Sequence, residues 1–224
     1  MTLLEKAQKP PIRSKGIVAL IVETLGVIGI VVFYFYGPRE LRGMDLAMLF
    51  VVVSFAAYGS MQNIIRGLMT AVSVYLATGI AATAYPALTP YARTFLILLT
   101  RIGLARPPIG NVDFSALALS FVVLTVILWL ILELLFRASF PDTRVAFLGF
   151  VDRAVGAMVY LVIGVAVATL LFNAIGYGVA GRRGHDLAAL RPEFNQVLER
   201  YYQGQSFWFR GRPPAIYAYD LVLP

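Results

Sequence analysis

Long apolar stretches alternate with short polar links along this chain. A helix needs roughly 20 apolar residues to cross the hydrocarbon core of a bilayer, and each stretch is close to that length. A soluble protein of 224 residues would have to surround every such helix with other protein, because each is apolar on all its sides. The pattern therefore predicts five transmembrane helices, at residues 17–36, 44–65, 68–85, 114–136 and 154–177.

The first links indicate how successive spans are joined. Asp45 stands at the start of the second span, where a carboxylate caps N–H groups and complements the positive end of the helix dipole. Arg66-Gly67 separates the second span from the third. So short a link predicts an antiparallel hairpin, in which Gly67 supplies backbone freedom and Arg66 is held at the membrane interface.

Prolines and glycines mark the later spans. Pro86 and Pro90 predict the end of the third span, with an interfacial helix after it at residues 91–105. The fifth span carries a stripe at four-residue spacing that mixes small and large residues: Gly156, Tyr160, Gly164, Ala168, Phe172 and Gly176. Such spacing predicts close packing against a neighbouring helix, because small residues let two helix backbones approach in lipid.

The last part of the chain, residues 181–224, is polar and aromatic. Pro192 and Glu193 have the pattern of a helix start, and apolar residues then recur on one face at Phe194, Val197, Leu198 and Tyr201. The predicted fold is all-α: a polytopic membrane protein with five transmembrane helices and an amphipathic C-terminal helix. Its predicted parts are a basic leader (residues 1–16), a membrane domain (17–180) and this interfacial tail.

Composition agrees with a membrane protein. Hydrophobic residues make up 59% of the chain and charged residues 14%, with a mean hydropathy of +0.78. The absence of cysteine excludes disulfides and thiolate metal sites. The net charge of +7 is spread over links and tails, where it predicts contact with anionic lipid headgroups and not with nucleic acid.

The distribution of basic residues favours a cytoplasmic N-terminus. In a five-span protein the leader, Arg66 and the link between the fourth and fifth spans lie on one side of the membrane. All three are basic. Because charges in short links orient a protein more strongly than those in a long tail, this side is expected to face the cytoplasm.

Ionisable residues inside a span are costly, so they are functional candidates. Glu23 lies seven residues into the first span. It is a proton or cation carrier, an ion-pair partner for an arginine on another helix, a carboxylate that reaches the interface, or one held protonated by a hydrogen bond to Thr or Tyr. Glu133 precedes Arg137 by four residues, which predicts an ion pair along one helix. His185, the only histidine, lies outside every span, and no catalytic triad or phosphate-binding loop is recognisable. The sequence therefore predicts no catalytic residue, metal or cofactor.

Three short motifs resemble a known family. They are Met44-Asp45, opening a span that ends in Ile65-Arg66-Gly67; residues 147–157, in which Asp152-Arg153 precedes Gly156; and Leu190-Arg191-Pro192-Glu193-Phe194. In these motifs, residues 44 to about 202 resemble the colicin V production (CvpA-like) family of bacterial inner-membrane proteins. One departure is the last span, where family members often have a second Arg-Gly and this chain has Ile163-Gly164.

The resemblance implies a four-helix core preceded by one added helix, in a protein of the bacterial cytoplasmic membrane linked to toxin production or export and to envelope maintenance. It implies no catalytic residues. The residues of the second motif have physical roles of their own. Asp152 is suited to capping the last span, Arg153 to meeting headgroups or an acid, and Gly156 to admitting a neighbouring helix.

Two other functions stay open. The added first span and the aromatic tail suit an accessory subunit of a larger respiratory, photosynthetic or secretion complex, or a homo-oligomer. A small transporter or channel is the third hypothesis, for which Glu23 and Arg66 are the supporting charges. A pore usually has more polar lining than these spans offer.

Overall fold

The computed structural model describes residues 12–37, 40–103, 112–140, 149–179 and 188–209, and every regular element in them is helical. The five long apolar helices are α1 (Ile12–Tyr36), α2 (Gly43–Gly59), α3 (Ile64–Arg101), α4 (Val112–Ser139) and α5 (Gly149–Val179). The amphipathic helix α6 (Arg191–Gly204) follows, with a 3-10 turn at Ser206–Phe209. The predicted all-α membrane fold is confirmed. Most of the basic leader, His185 and residues 210–224 lie outside the described residues.

Four of the long helices have the length and apolarity needed to cross a membrane: α1, α3, α4 and α5. The second predicted span corresponds to α2, which is apolar but has 17 residues. At about 1.5 Å per residue, α2 is roughly 26 Å long, slightly less than the thickness of a typical hydrocarbon core. The ends of α2 must therefore be shielded by other parts of the protein.

The turn between α2 and α3 is made by residues 60–63, earlier than predicted. Ser60 donates its hydroxyl to the Ala57 carbonyl at 2.7 Å, and the Gln62 N–H donates to the Gly59 carbonyl at 2.9 Å. These local hydrogen bonds satisfy two backbone carbonyl groups at the end of α2. The expectation that Gly67 supplies backbone freedom to the turn is wrong, since Gly67 is helical and lies in the first turns of α3.

Helix α3 continues through Pro86 and Pro90 to Arg101, so the predicted end of this span is wrong. Both prolines face outward, and α3 packs along α4 over much of its length. An ion pair of 3.0 Å between Arg93 and Asp113 joins the far part of α3 to the start of α4. This packing and the ion pair support the helix beyond the two prolines, although each removes an N–H donor.

The core consists of α2 to α5. Helix α2 packs on α5, α3 packs on α4, and α5 contacts both α3 and α4. Alanines without exposed surface at Ala77, Ala81, Ala116 and Ala168 let these helices approach closely. Helix α1 packs mainly on α2 and exposes most of its large apolar side chains. We call the end of the core with residues 60–63 the turn end.

Candidate functional site

Three charged side chains of α3 and α4 meet near the turn end. Glu133 Oε1 lies 3.6 Å from Nε of Arg66 and 3.3 Å from Nε of Arg137. The side chains of Arg66 and Glu133 are 12% and 14% exposed, whereas that of Arg137 is 49% exposed. The predicted pair of Glu133 with Arg137 is confirmed. Arg66 joins it, so two guanidinium groups share one carboxylate.

Hydroxyl groups connect this ion pair to the other two core helices. Thr70 Oγ1 donates to Glu133 Oε2 at 3.1 Å. It lies 2.9 Å from Tyr160 Oη, which is then the donor because Thr70 has a single hydroxyl proton. Arg137 Nη2 donates to Tyr58 Oη at 3.1 Å. We call the whole set the polar cluster: Tyr58, Arg66, Thr70, Glu133, Arg137 and Tyr160.

A cavity of about 340 Å³ lies beside the polar cluster, with further walls from Phe55, Trp129 and Leu130. A second cavity of about 320 Å³ adjoins it, since Phe55 and Trp129 line both. The remaining lining of the second cavity is aliphatic or aromatic, apart from Thr78 and Thr125. The two cavities together make a groove with a charged end and an apolar end.

Replacing Glu133 by Gln should lower the free energy of unfolding by about 1–3 kcal/mol, because buried Arg66 then loses its counter-charge. Denaturation in detergent micelles measures this. Glu23→Gln is the matched control on a half-buried carboxylate without a described partner, and it should change stability by less than about 0.5 kcal/mol. Equal losses in the two variants would contradict a stabilising role for the polar cluster.

The start of α5 holds the turn between α2 and α3. Asp152 is 6% exposed, and its Oδ1 accepts the N–H of Ile64 at 2.9 Å. Ile64 is the first residue of α3, so this described bond caps α3 and not α5, the helix expected from sequence. Arg153 is half-buried and makes no hydrogen bond or ion pair with another described residue.

Two of the predicted glycines pack helix against helix at the same end. A Cβ on Gly156 would lie 2.8 Å from the carbonyl oxygen of Gln62 and 3.3 Å from that of Gly59. A Cβ on Gly67 would lie 3.0 Å from Cγ1 of Val159. Gly156 therefore supports the 60–63 turn directly, and Gly67 lets α3 approach α5.

Gly164 lies further along α5, against the middle of α2. A Cβ there would lie 2.8 Å from Cβ of Phe55 and 3.2 Å from Cα of Val52. The predicted close packing of the last span is thus confirmed, with α2 as its partner. Ile163, the residue before Gly164, is 4% exposed and lies in the core.

Asp45 lies at the opposite end of the core from the turn and has no exposed surface. Its carboxylate accepts three backbone N–H groups: Arg42 at 2.8 Å, Ala189 at 2.8 Å and Leu190 at 3.0 Å. The first bond caps α2, as predicted. The other two tie the start of α6 to the core, so one carboxylate joins segments that are about 145 residues apart in the chain.

The far end of α6 docks on the middle of α3. Gln205 is fully buried and donates Nε2 to the Tyr75 carbonyl at 2.7 Å and to Thr78 Oγ1 at 2.8 Å. Tyr75 Oη in turn donates to the Gly204 carbonyl at 2.7 Å. Trp208 covers Gly79, where a Cβ would lie 2.8 Å from the indole nitrogen. The tail is therefore bound to the core at both ends of α6.

Burial raises the pKa of Tyr201 to about 12, against the opposing effect of its hydrogen bond with Thr78. The folded-state pKa thus exceeds the ordinary value of 10.0. The stability that the neutral phenol contributes is complete below pH 10 and is lost as the pH rises towards 12. Trp208 fluorescence should report release of α6 in this window. Tyr201→Phe should abolish or displace the transition, and an identical transition in that variant would contradict the assignment.

Glu23 is set apart from the other candidates. It lies on α1, is half-buried, and makes no hydrogen bond or ion pair within the described residues. The arginine partner considered for it on a neighbouring helix is therefore not found in this part of the chain. Among the described residues there is also no group of three or more metal-ligating side chains.

Sequence reasoning missed the hydroxyl groups of the polar cluster and the tail. Tyr58, Thr70 and Tyr160 lie in apolar spans, where their types alone do not single them out. The signal that was available is spacing: Arg66 and Thr70 are four residues apart, as are Glu133 and Arg137. Each pair shares a helix face, so two polar faces inside the membrane had to meet.

Comparison with known proteins agrees with this arrangement. The family model for colicin V production protein matches residues 44–186, which include α2 to α5. No curated protein and no solved structure matches the chain. The matched segment contains Asp45, the polar cluster and the Asp152–Gly156 support of the turn, whereas α1 precedes it. The chain is a bacterial membrane protein that belongs to the colicin V production protein family.

Proposed function

We propose that this protein acts without catalysis in the bacterial cytoplasmic membrane, in the production or export of a peptide toxin or in maintenance of the cell envelope. The observation that carries the proposal is the family match across the four-helix core. It is supported by what the buried carboxylates do. Asp45 and Asp152 accept backbone N–H groups of neighbouring segments, and Glu133 neutralises arginines. These groups are used for assembly.

The test is genetic complementation. Cells that lack the protein should release less peptide toxin, or admit more of a large antibiotic through a weakened envelope, and the full chain should restore both properties. Glu23→Gln should restore them as well as the wild type does, since no step depends on a carrier carboxylate. Full restoration by the wild type but none by stably inserted Glu23→Gln would overturn the proposal in favour of transport.

We further propose that the turn end faces the cytoplasm. Arg66, Arg137 and Arg153 all lie near it, which supports the orientation favoured by the basic leader. Because the chain has no cysteine, labelling of a single introduced cysteine shows on which side of the membrane that position lies. A membrane-impermeant maleimide added to intact spheroplasts should label Gly43→Cys, at the exposed start of α2, and should label Gln62→Cys only after lysis. The reverse pattern would invert the orientation.

A second candidate function is an accessory subunit of a larger membrane complex. The observation in its favour is that α1 packs mainly on α2 and exposes the large apolar side chains of its other faces, which suit contact with either lipid or another membrane protein. Gentle purification from the native membrane distinguishes this function from the first proposal, because it shows which proteins co-purify with the chain. Stoichiometric large partners would favour the subunit, and homo-oligomers alone would exclude it.

A further inference from the structure

The groove beside the polar cluster lies between α2 and α4, which make little direct contact. Helices α3 and α5 form its floor. On its rim Val126 is 42% exposed and Leu130 is 55% exposed, so the groove opens sideways towards the surrounding bilayer. A lipid molecule can therefore enter it from the membrane without passing through the protein.

The length of the groove suits one leaflet. Along α4, Arg137 and Thr125 are twelve residues apart, which is roughly 18 Å at 1.5 Å per residue. Half of a typical hydrocarbon core is about 15 Å thick. With Arg137 near the end of α4, a headgroup at Arg137 and an acyl chain alongside Thr125 would have the depth of an ordinary phospholipid.

The charge of the polar cluster favours an anion, and Arg137 is the arginine of the cluster that lines the groove. The polar cluster holds two guanidinium groups against one carboxylate, so one positive charge remains. Arg137 is half exposed, and its described bonds to Glu133 and Tyr58 use two of the five N–H donors of a guanidinium group. The remaining donors suit a phosphate, for which the planar guanidinium has matching geometry.

Two further polar groups in the groove lack partners. The indole N–H of Trp129 and the hydroxyl of Thr125 are buried, and neither has a hydrogen-bond partner among the described residues. Their side chains line the same groove below Arg137. Buried donors without acceptors are rare in folded proteins, and the ester carbonyls of a glycerolipid are acceptors of the required kind.

We propose that this groove binds one anionic phospholipid, with its phosphate at Arg137 and one acyl chain between α2 and α4. The proposal goes beyond the function above and does not depend on it. A lipid held there joins α2 to α4, two core helices that make little direct contact with each other.

Brominated lipids test the site, because bromine quenches a nearby tryptophan. The chain has two tryptophans, so Trp208→Phe leaves Trp129 in the groove as the sole reporter. In phosphatidylcholine vesicles, brominated phosphatidylglycerol should quench Trp129 more strongly than brominated phosphatidylcholine at the same mole fraction. Equal quenching by the two lipids would overturn the proposal.

Two arginine variants in the Trp208→Phe background then show which arginine is responsible for the preference for the anionic lipid. Arg137→Gln should lower the preference for phosphatidylglycerol by about fivefold, the effect expected of one basic group at an anionic lipid. Arg153→Gln, a basic residue of the same end that does not line the groove, should retain the preference. An equal loss in both variants would indicate general attraction to an anionic surface and overturn the site.

Native mass spectrometry of the unaltered protein supplies a second measurement. The wild-type chain, purified in mild detergent, should retain one phospholipid of anionic class, and Val126→Trp, which narrows the rim of the groove, should retain less. Retention of inorganic phosphate without a lipid chain, or of zwitterionic lipid in equal amount, would contradict the proposal. This readout does not require any residue of the polar cluster to be changed.

Discussion

Replacing Asp45 by alanine should lower the free energy of unfolding by at least about 3 kcal/mol and release α6 from the core. The carboxylate has no exposed surface and accepts three backbone N–H groups. Without it, the partly buried N–H groups of Ala189 and Leu190 lose their acceptor, because neither residue lies within a helix that would supply another. The measurement is denaturation in detergent, together with protease cleavage of the tail.

Asp113→Ala is the control for the Asp45 variant. Asp113 also lies in the first turn of a core helix, α4, but its side chain is 53% exposed and it pairs with exposed Arg93. Its replacement should cost less than about 1 kcal/mol. The interpretation of Asp45 as the link between tail and core fails if the tail is cleaved no faster in Asp45→Ala than in Asp113→Ala.

The second large effect is expected at Gly156. Alanine there should cost about 1–3 kcal/mol, because its Cβ would meet the backbone oxygens of Gln62 and Gly59. Backbone cannot rotate away as a side chain does, so α5 and the 60–63 turn must separate. The displacement also moves Asp152 away from the N–H of Ile64, which adds the loss of a helix cap.

Gly29→Ala is the matched control for Gly156→Ala, since a Cβ on Gly29 of α1 meets nothing within 4 Å. Alanine has the higher helix propensity by about 1 kcal/mol, so this variant should be neutral or slightly more stable. Thermal unfolding of the two variants in the same detergent makes the comparison. A similar change in both would show that helix propensity, and not contact with the turn, governs Gly156.

The turn between α2 and α3 shows how far local reasoning reaches. A turn at this place followed from the shortness of the link, but α2 packs on α5 and α3 on α4, so the two helices do not pair closely as a hairpin. The position of the turn did not follow. Arg66 and Gly67 resemble turn residues, yet Arg66 is held in α3 by Glu133 of α4 and Gly67 by contact with α5. Those partners are distant in sequence, so the local pattern does not contain them.

Helix α3 is a second place where local sequence patterns mislead, because the helix end that they predict is absent. Two prolines predict a helix end from local chemistry, since each removes a backbone donor and disfavours the preceding residue in a helix. The chain nevertheless stays helical as far as Arg101, supported by packing against α4 and by the pair of Arg93 with Asp113. Tertiary contacts along a neighbouring helix outweigh a local penalty.

The structure also reverses the relative importance that the sequence suggested for Glu23 and Glu133. Glu23 stood out because it lies deepest in a span, but it makes no described polar contact. Glu133 seemed a routine pair near a helix end, and it is the centre of a network reaching all four core helices. Depth in a span is visible in a sequence, whereas the number of helices around a residue is not.

A helical membrane protein of the colicin V production family, with an added first helix and an amphipathic tail, can be recognised from the amino-acid sequence. Span length, apolar periodicity and short motifs are local properties, so they can be recognised without the fold. The contacts of Asp45 with the tail, the cap that Asp152 provides for α3, and the groove with a charged end between α2 and α4 become visible in the folded structure alone. Each of these depends on how helices far apart in the chain pack together.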